Sequence, residues 1–192
     1  MYLIVGLGNP GKEYAGSRHN LGFQVVEALS RRLQVIGTSQ KHWSVIAESK
    51  YKGEKVMLAQ PLTYMNLSGR AVRELVRNYS IELSDLLVIY DDLDIPPGTI
   101  RFRARGGSAG HRGLQSIIDS LGTNEFPRLR VGIGKAPDNM EASDFVILSV
   151  EKTDKILFAE AIDRSVEAIL HFIDCGLEST MNVFHKGATT AD

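Results

Sequence analysis

The stretch MYLIVGLGNPGKEYAGSRHNLGF, residues 1–23, passes from an apolar run to a polar, glycine-rich loop and then to the start of an amphipathic segment. The apolar, β-branched run at residues 2–5 predicts a buried strand. From about residue 20 onward, apolar side chains recur at helical spacing, with Val25, Val26, Leu29 and Leu33 on one stripe. A strand, a loop and a helix in this order form the repeating unit of an α/β protein.

The remainder of the chain continues this alternation of strands and helices. Further strands are predicted at residues 45–47, 55–59, 86–90, 99–105, 128–133 and 145–148. Helical spacing covers residues 67–79, 113–121 and 158–173; the last of these helices is expected to end at Cys175-Gly176, with another after it. The sequence therefore predicts a single α/β domain over residues 1–192, with a mixed, largely parallel central sheet flanked by helices. We expect the tail from about residue 186 to be flexible.

Composition restricts the class of protein. The 192 residues are 43% hydrophobic and 23% charged, which is ordinary for a globular domain that buries its own core. One cysteine excludes an intramolecular disulfide, and no cysteine pair offers spacing for metal ligands. The N-terminus lacks the features of a signal peptide, and no segment reaches the roughly 18 apolar residues of a membrane span. We expect a cytoplasmic protein that does not bind membranes.

The charge is unevenly distributed. Residues 99–135 carry seven basic and two acidic side chains, a net charge of +5 in a chain whose formal net charge is −1. A single basic stretch in a nearly neutral protein indicates a polyanion held at one place. The alternative is an ordinary solvated face rich in arginine.

The glycines at residues 6–11, GLGNPG, match the G-x-G-x-x-G pattern of dinucleotide-binding turns. In such a turn the helix begins at the glycines, and an acidic residue follows about 20 residues later at the end of a second strand. Here the helix begins only near residues 20–22, and the acid at that distance, Glu27, lies inside it. The context therefore argues against nucleotide binding by this loop.

Two other motifs also have alternative readings. GGSAG, residues 106–110, matches the nucleophile elbow of serine hydrolases, but it follows an arginine-rich strand and not a buried one. YDDLD, residues 90–94, could offer carboxylates to Mg²⁺, but no second acidic cluster completes a coordination shell. We therefore predict neither a serine nucleophile nor a metal.

Side chains suited to acyl-transfer chemistry follow three predicted strands, at the sheet edge where α/β proteins bind ligands. His19 alone among five histidines lies in a polar loop before a helix, and a carboxylate from Asp91 could fix its tautomer. Asn66 could instead cap the following helix, and Asn9 could simply support a turn. His111, in the glycine loop, is a plausible substrate contact. The candidate residues of the three loops are Asn9, Tyr14, His19, Met65, Asn66 and Asp91.

Several motifs together resemble the bacterial peptidyl-tRNA hydrolases. They are VGLGNPGKEYAGSRHNLGF, PLTYMNLSGRAV, YDDLDIPPG, GSAGHRGLQSI and FPRLRVGIG, in the order and spacing of that family and over roughly residues 1–185. The resemblance implies a cytoplasmic, usually monomeric enzyme without a cofactor or metal. Such an enzyme hydrolyses the ester between a peptide and tRNA, which recycles tRNA after premature release from the ribosome.

The resemblance also implies a role for each candidate residue. His19 would be the general base that activates water, and Asp91 would orient it. Asn9 and Asn66 would hold the peptide backbone and the oxyanion. The remaining matches are expected to bind substrate: Tyr14 and Met65 would line the cleft, His111 and Arg112 would contact substrate, and Arg103 and Arg130 would clamp the tRNA 5′-phosphate.

Arg112 departs from the family pattern, which typically has Asn after Gly110-His111. We expect this arginine to contact phosphate or the terminal adenosine, with slower turnover or altered affinity as the consequence. A non-catalytic RNA-binding relative on the same scaffold is the alternative function. Retention of all four residues with implied catalytic roles argues against it.

Overall fold

The chain alternates strands and helices in the computed structural model, which describes residues 1–185 except the side chains of residues 152 and 153. The predicted flexible tail therefore lies outside the described residues. The strands are β1 (Tyr2–Gly6), β2 (Ser39–Lys41), β3 (Ser44–Tyr51), β4 (Glu54–Pro61), β5 (Leu86–Asp92), β6 (Ile100–Arg103) and β7 (Arg128–Gly132). The helices are α1 (Leu21–Arg32), α2 (Ser68–Asn78), α3 (Arg112–Leu121), α4 (Ala142–Ile147) and α5 (Lys152–Phe184).

All seven strands join one sheet in the order β2-β3-β4-β1-β5-β7-β6. The four central strands, β4, β1, β5 and β7, are mutually parallel, while β3 pairs antiparallel with β4 and β6 antiparallel with β7. The prediction of a mixed, largely parallel sheet is confirmed. The carboxyl ends of β1, β4 and β5 consequently meet at one edge, which positions the loops that follow them.

Helices cover both faces of the sheet because the central strands are apolar on both sides. On one face, Ile4 packs in a cluster with Val25 of α1 and Ile169 of α5. On the other face, Leu3 packs with Val72 of α2 and with residues of α3. Apolar surface is buried on both faces of the sheet, and each Å² of it stabilises the three layers by about 25 cal/mol. Within residues 1–185, none of the helices combines the length and apolar character that crossing a lipid bilayer requires.

The glycines at the end of β1 allow the strand to approach α1 closely. A Cβ atom on Gly6 would overlap the carbonyl oxygen of Gly22, and a Cβ on Gly22 would overlap the backbone of Leu7. The chain is also tied here by Leu7 N, which donates to Ile89 O at 2.9 Å. Gly6 thus allows close packing between β1 and α1, and α1 begins at Leu21, well after the glycine motif, as predicted.

Two local predictions differ from the structure. Residues 145–148 were expected to be a strand, which is wrong, because residues 145–147 lie in the short helix α4. Strand β2 was not predicted, because its three residues are polar and exposed. The predicted helix end near residue 176 is confirmed: Gly176, at φ 78° and ψ 173°, interrupts α5, and the helix resumes after it.

Candidate active site

A cavity of about 660 Å³ opens at the carboxyl ends of the central strands. Polar lining comes from the loop after β1, the 3₁₀ turn that precedes α2, the end of β5 and the loop that leads into α3. Helix α4 forms the opposite wall with Val146 and Ile147. Of the predicted site residues, those that line this cavity are Asn9, His19, Met65, Asn66, Asp91, His111 and Arg112.

Asp91 is the centre of the polar network. It is 3% exposed, and its Oδ1 lies 2.8 Å from His19 Nδ1 and 3.1 Å from His111 Nε2. Burial by itself would raise the pKa of the Asp91 carboxyl, but the charge of the His19 imidazolium and hydrogen bonds from both rings hold it well below its usual value. The carboxylate therefore remains ionised across the physiological pH range.

The hydrogen bonds fix the tautomers of both histidines. His111 Nδ1 accepts a bond from Leu114 N at 3.1 Å, so the His111 proton lies on Nε2 and is donated to Asp91. His19 must donate from Nδ1 to the same carboxylate. In a neutral ring this leaves His19 Nε2 with a free lone pair, and no residue in the described part of the chain bonds to it. The ring can thus accept a proton from a water in the cavity.

Asn9 is held rigidly beside this network. Its Oδ1 accepts from Met65 N at 2.8 Å, while its backbone N and O pair with the side-chain amide of Asn20 at 2.8 and 3.0 Å. The remaining polar group, Asn9 Nδ2, has no hydrogen-bond acceptor within residues 1–185 and is available to a ligand. Asn20 was not predicted as a site residue; its position directly before α1 was the only available signal.

Asn66 does not cap a helix. It lies exposed in the 3₁₀ turn Met65–Leu67, and α2 begins at Ser68 without a capping side chain. The capping explanation is therefore wrong, and the amide is free to face the cavity. Met65 beside it is 4% exposed, and its sulfur occupies the space that the absent side chain of Gly113 leaves.

The predicted basic residues divide into different environments. Arg112 is exposed at the first position of α3, on the rim of the cavity. Arg103 is exposed on β6, whereas Arg130 on β7 donates from Nε to Asp92 Oδ2 at 2.7 Å. Neither of these two lines the cavity, and their contact with the tRNA phosphate stays a prediction. Tyr14 also lies outside the lining, in the turn Lys12–Tyr14, so the structure does not bring it to the cleft wall.

One of the seven basic residues in the stretch 99–135 is structural. Arg128 is 1% exposed, and its guanidinium donates to the carbonyl oxygens of Gly106 and Asn124 at 2.6 and 2.7 Å. It also lies over the ring of Phe126, 4.5 Å from the centroid. Arg128 therefore organises the glycine loop, and it does not belong to an exposed basic face.

A metal could approach one group of residues among those described. The ligand atoms of His19, Asp91 and His111 all lie within 4.8 Å of one another. Both histidine nitrogens that face Asp91 carry protons in the arrangement above, so an ion would have to displace them. The absence of a metal in the working enzyme stays a prediction.

The arrangement defines a class of protein. The site combines an imidazole with one free nitrogen, an ionised carboxylate behind it and amide side chains beside it, at the carboxyl edge of an α/β sheet. This arrangement is suited to hydrolysis by general-base catalysis. In the GGSAG motif, Ser108 Oγ donates to the amide oxygen Gln115 Oε1 at 2.7 Å and, within residues 1–185, bonds to no histidine that could activate it as a nucleophile.

The comparisons with known proteins identify the family. The family model described as peptidyl-tRNA hydrolase matches residues 3–191. The chain is 45% identical over 185 residues to the peptidyl-tRNA hydrolase of Syntrophomonas wolfei, which covers 96% of this chain and all of that protein. It is also 45% identical to the peptidyl-tRNA hydrolase of Chloroflexus aggregans over 186 residues, 96% of this chain and 99% of the relative.

Solved structures agree with this assignment. The crystal structure of peptidyl-tRNA hydrolase from Acinetobacter baumannii superposes with a TM-score of 0.89 at 35% identity, over 95% of this chain and 93% of that one. A complex of a peptidyl-tRNA hydrolase with N-propanol gives a TM-score of 0.90 at 34% identity, over 100% and 97% of the two chains. The chain therefore belongs to the peptidyl-tRNA hydrolase family.

Proposed function

We propose that this chain hydrolyses the ester bond that joins the peptide to the tRNA in peptidyl-tRNA, with His19 as the general base. The observation that carries the proposal is the free Nε2 of His19, in a ring that a buried carboxylate orients toward an open cavity. Family membership supports the substrate class. The proposal includes action as a monomer in the cytoplasm, without a cofactor.

The reaction begins when His19 Nε2 takes a proton from water as the water oxygen attacks the ester carbonyl. Asp91 stabilises the imidazolium that forms, because its negatively charged carboxylate accepts a hydrogen bond from Nδ1–H of that ring. The tetrahedral intermediate then collapses, the imidazolium returns the proton to the ribose oxygen, and the peptide acid and tRNA leave. An ester is already an activated acyl group, so a single imidazole can serve as the general base.

The amide side chains supply the second component of catalysis. Asn9 Nδ2 and the Asn66 amide both border the cavity, where they can donate to the oxyanion and to the peptide backbone. A preorganised donor of this kind lowers the barrier by about 3 kcal/mol in known oxyanion sites. Asn9 is preorganised by the bond that its backbone N donates to Asn20 Oδ1 and by the bond that its Oδ1 accepts from Met65 N, so little of this energy is lost to ordering the side chain.

The arginines outside the cavity account for the tRNA half of the substrate. Arg103 and Arg130 lie on the adjacent strands β6 and β7, where they can contact phosphates without touching the ester. Arg112 on the cavity rim is suited to the terminal nucleotide or its phosphate. Contacts of this kind bind tRNA without regard to its sequence and weaken as salt rises.

The test replaces His19 with alanine and measures acyl release from N-acetyl-phenylalanyl-tRNA. We expect kcat/KM to fall by about 10²–10⁴-fold, while the Kd for uncharged tRNA stays within about twofold. The matched control is His171→Ala, which removes an imidazole that bonds to Thr180 on the distant helix α5. Retention of most of the rate in the His19 variant would exclude the mechanism. If the unaltered protein released no acyl groups, the proposed hydrolysis would be excluded and the non-catalytic RNA-binding function would remain.

A further inference from the structure

An exposed aromatic side chain lies at the same edge of the sheet as the catalytic residues. Strand β3 begins at Ser44, opposite Pro61 at the carboxyl end of β4, and β4 runs parallel to β1. Trp43, in the turn between β2 and β3, therefore lies at the carboxyl edge, two strands from β1. The bond from Leu62 N to Trp43 O, 2.7 Å long, ties the turn to the segment that leads into the cavity wall.

The backbone holds this tryptophan in a conformation that large side chains rarely adopt. His42 and Trp43 have φ of 50° and 60°, so both central residues of the two-residue turn are left-handed. Asn and Gly normally occupy such positions, because a Cβ is disfavoured there. Trp43 is nevertheless 52% exposed, so burial of its own ring does not explain why this position carries an indole. Strain that folding alone does not explain is a reason to look for a ligand.

A neighbouring helix fixes the orientation of the indole. The guanidinium of Arg70 on α2 stacks 3.8 Å from the centroid of the Trp43 ring. The stacked pair presents a preoriented apolar surface at low cost in side-chain entropy. Exposed apolar side chains continue from this pair toward the cavity, and they are Leu62, Tyr64 and Leu67. Tyr64 also lines the cavity, so the surface is continuous with the site.

The layout of the sheet indicates which half of the substrate reaches this surface. The ester must lie between Asp91 of β5 and Asn9 after β1, near the middle of the sheet. The basic residues proposed for tRNA, the exposed Arg103 on β6 and the partly buried Arg130 on β7, lie on one side of the ester. Trp43 lies on the opposite side, beyond β4. With the polyanion directed toward β6, the peptide extends toward β4 and β3.

We infer that Trp43 and Arg70, with the apolar side chains between them and the cavity, form a subsite for apolar side chains of the peptide. Strands are spaced about 4.8 Å apart, so the indole lies about 10 Å or more laterally from the end of β1. An extended peptide advances about 3.3 Å per residue, which places its third to fifth residues from the ester over the indole. This inference rests on the proposed function.

The test compares three substrates on the same tRNA: N-acetyl-Phe, N-acetyl-Leu-Leu-Leu-Gly-Phe and N-acetyl-Gly-Gly-Gly-Gly-Phe. We expect the unaltered protein to cleave the leucine substrate with kcat/KM about 5- to 20-fold above the glycine substrate, since half-burying an apolar side chain gives an advantage of this order. Trp43→Ala should remove this ratio and leave the rate on N-acetyl-Phe within about twofold. The control Ile36→Ala, which truncates a fully exposed side chain after α1, should preserve the ratio.

Other outcomes would overturn the inference. A leucine-to-glycine ratio that Trp43→Ala leaves unchanged excludes the subsite. If Trp43→Ala lowers kcat/KM equally on short and long substrates, the turn only supports the fold. The Tm of the variant would then also be lower. Weaker binding of uncharged tRNA by the Trp43 variant assigns the indole to RNA. Each of these outcomes leaves hydrolysis of N-acetyl-Phe dependent on His19, so failure of the subsite is distinct from failure of the proposed function.

Discussion

The oxygen Oδ1 of Asp91 accepts two hydrogen bonds, and the two donors have different consequences. The bond from His19 orients the base, whereas the bond from His111 partly neutralises the carboxylate. His111 is itself fixed by Leu114 N, and its side chain, 8% exposed, lines the cavity. We propose that it also positions Asp91, while its contact with substrate stays a prediction.

Replacement of His111 and replacement of Asp91 should shift the pH–rate profile in opposite directions. In His111→Ala the carboxylate is less neutralised and stabilises the His19 imidazolium more, so the acidic limb of kcat/KM should move to higher pH. In Asp91→Asn the stabilising charge is lost, so the limb should move to lower pH, and kcat at the plateau should fall by about 10- to 10³-fold. The measurement is kcat/KM between pH 5 and pH 9 on N-acetyl-phenylalanyl-tRNA.

A shift of both profiles in the same direction would contradict this account. Gln115→Ala is the control, since Gln115 lies in the same helix and bonds to Ser108 and Asp119, away from the carboxylate. Its acidic limb should coincide with that of the unaltered protein.

Single residues differ in how far the sequence could predict them. The meeting of His19 with Asp91 was predictable, because Asp91 lies at the carboxyl end of β5 and His19 follows the neighbouring parallel strand β1. The hydrogen bond from His111 to Asp91 was not predictable, since the His111 tautomer depends on a backbone N–H one turn along α3. Arg128 resembles its basic neighbours in sequence, and only its burial against carbonyl oxygens reveals a structural role.

Among the elements, the edge strand β6 carries a testable part of the proposed tRNA contact. Arg103 is exposed on this strand, and none of the described residues forms a salt bridge with it. Arg103→Ala should weaken binding of uncharged tRNA by about three- to tenfold at low salt and reduce the slope of log Kd against log salt by about one. The measurement is a series of Kd values between about 50 and 200 mM salt.

Arg105→Ala provides a matched control for that experiment. Arg105 follows β6 and is exposed, but its guanidinium is 3.2 Å from Glu125. Its removal should change the slope less, because the Arg105 charge is already partly compensated. An unchanged slope in the Arg103 variant would remove β6 from the proposed tRNA surface.

Element prediction failed where local pattern and tertiary context disagree. Residues 145–148 are a short apolar run, which fits a buried strand or a helix equally well. Helix α4 forms because this segment lies across the cavity, where Val146 turns inward and the Phe145 ring lies under the Arg18 guanidinium, 4.3 Å away. Strand β2 was missed for the opposite reason: its pairing with β3 leaves all three side chains exposed.

At the scale of the whole molecule, the last described turn of the chain closes onto the edge of the sheet. His185, at the end of α5, accepts a hydrogen bond through Nε2 from Phe102 N of β6 at 2.9 Å. The acceptor must be unprotonated. Burial lowers the pKa of the His185 imidazole below its ordinary 6.5, and the nearby charges of Arg101 and Arg103 lower it further. The contact thus couples the terminal helix to the strand that carries the exposed Arg103.

This coupling predicts a pH-dependent part of the folding stability. A histidine whose pKa is lower in the folded state than in the unfolded state makes its full contribution to folding stability above the unfolded pKa of about 6.5. That contribution is lost as the pH falls through the pKa of the folded state. The free energy of unfolding in urea should therefore decrease between pH 7.5 and pH 5.5. His185→Gln retains an acceptor for Phe102 N but does not titrate, so its decrease over the same interval should be smaller. Equal decreases in the two proteins would show that protonation of His185 does not weaken the closure of α5 onto β6.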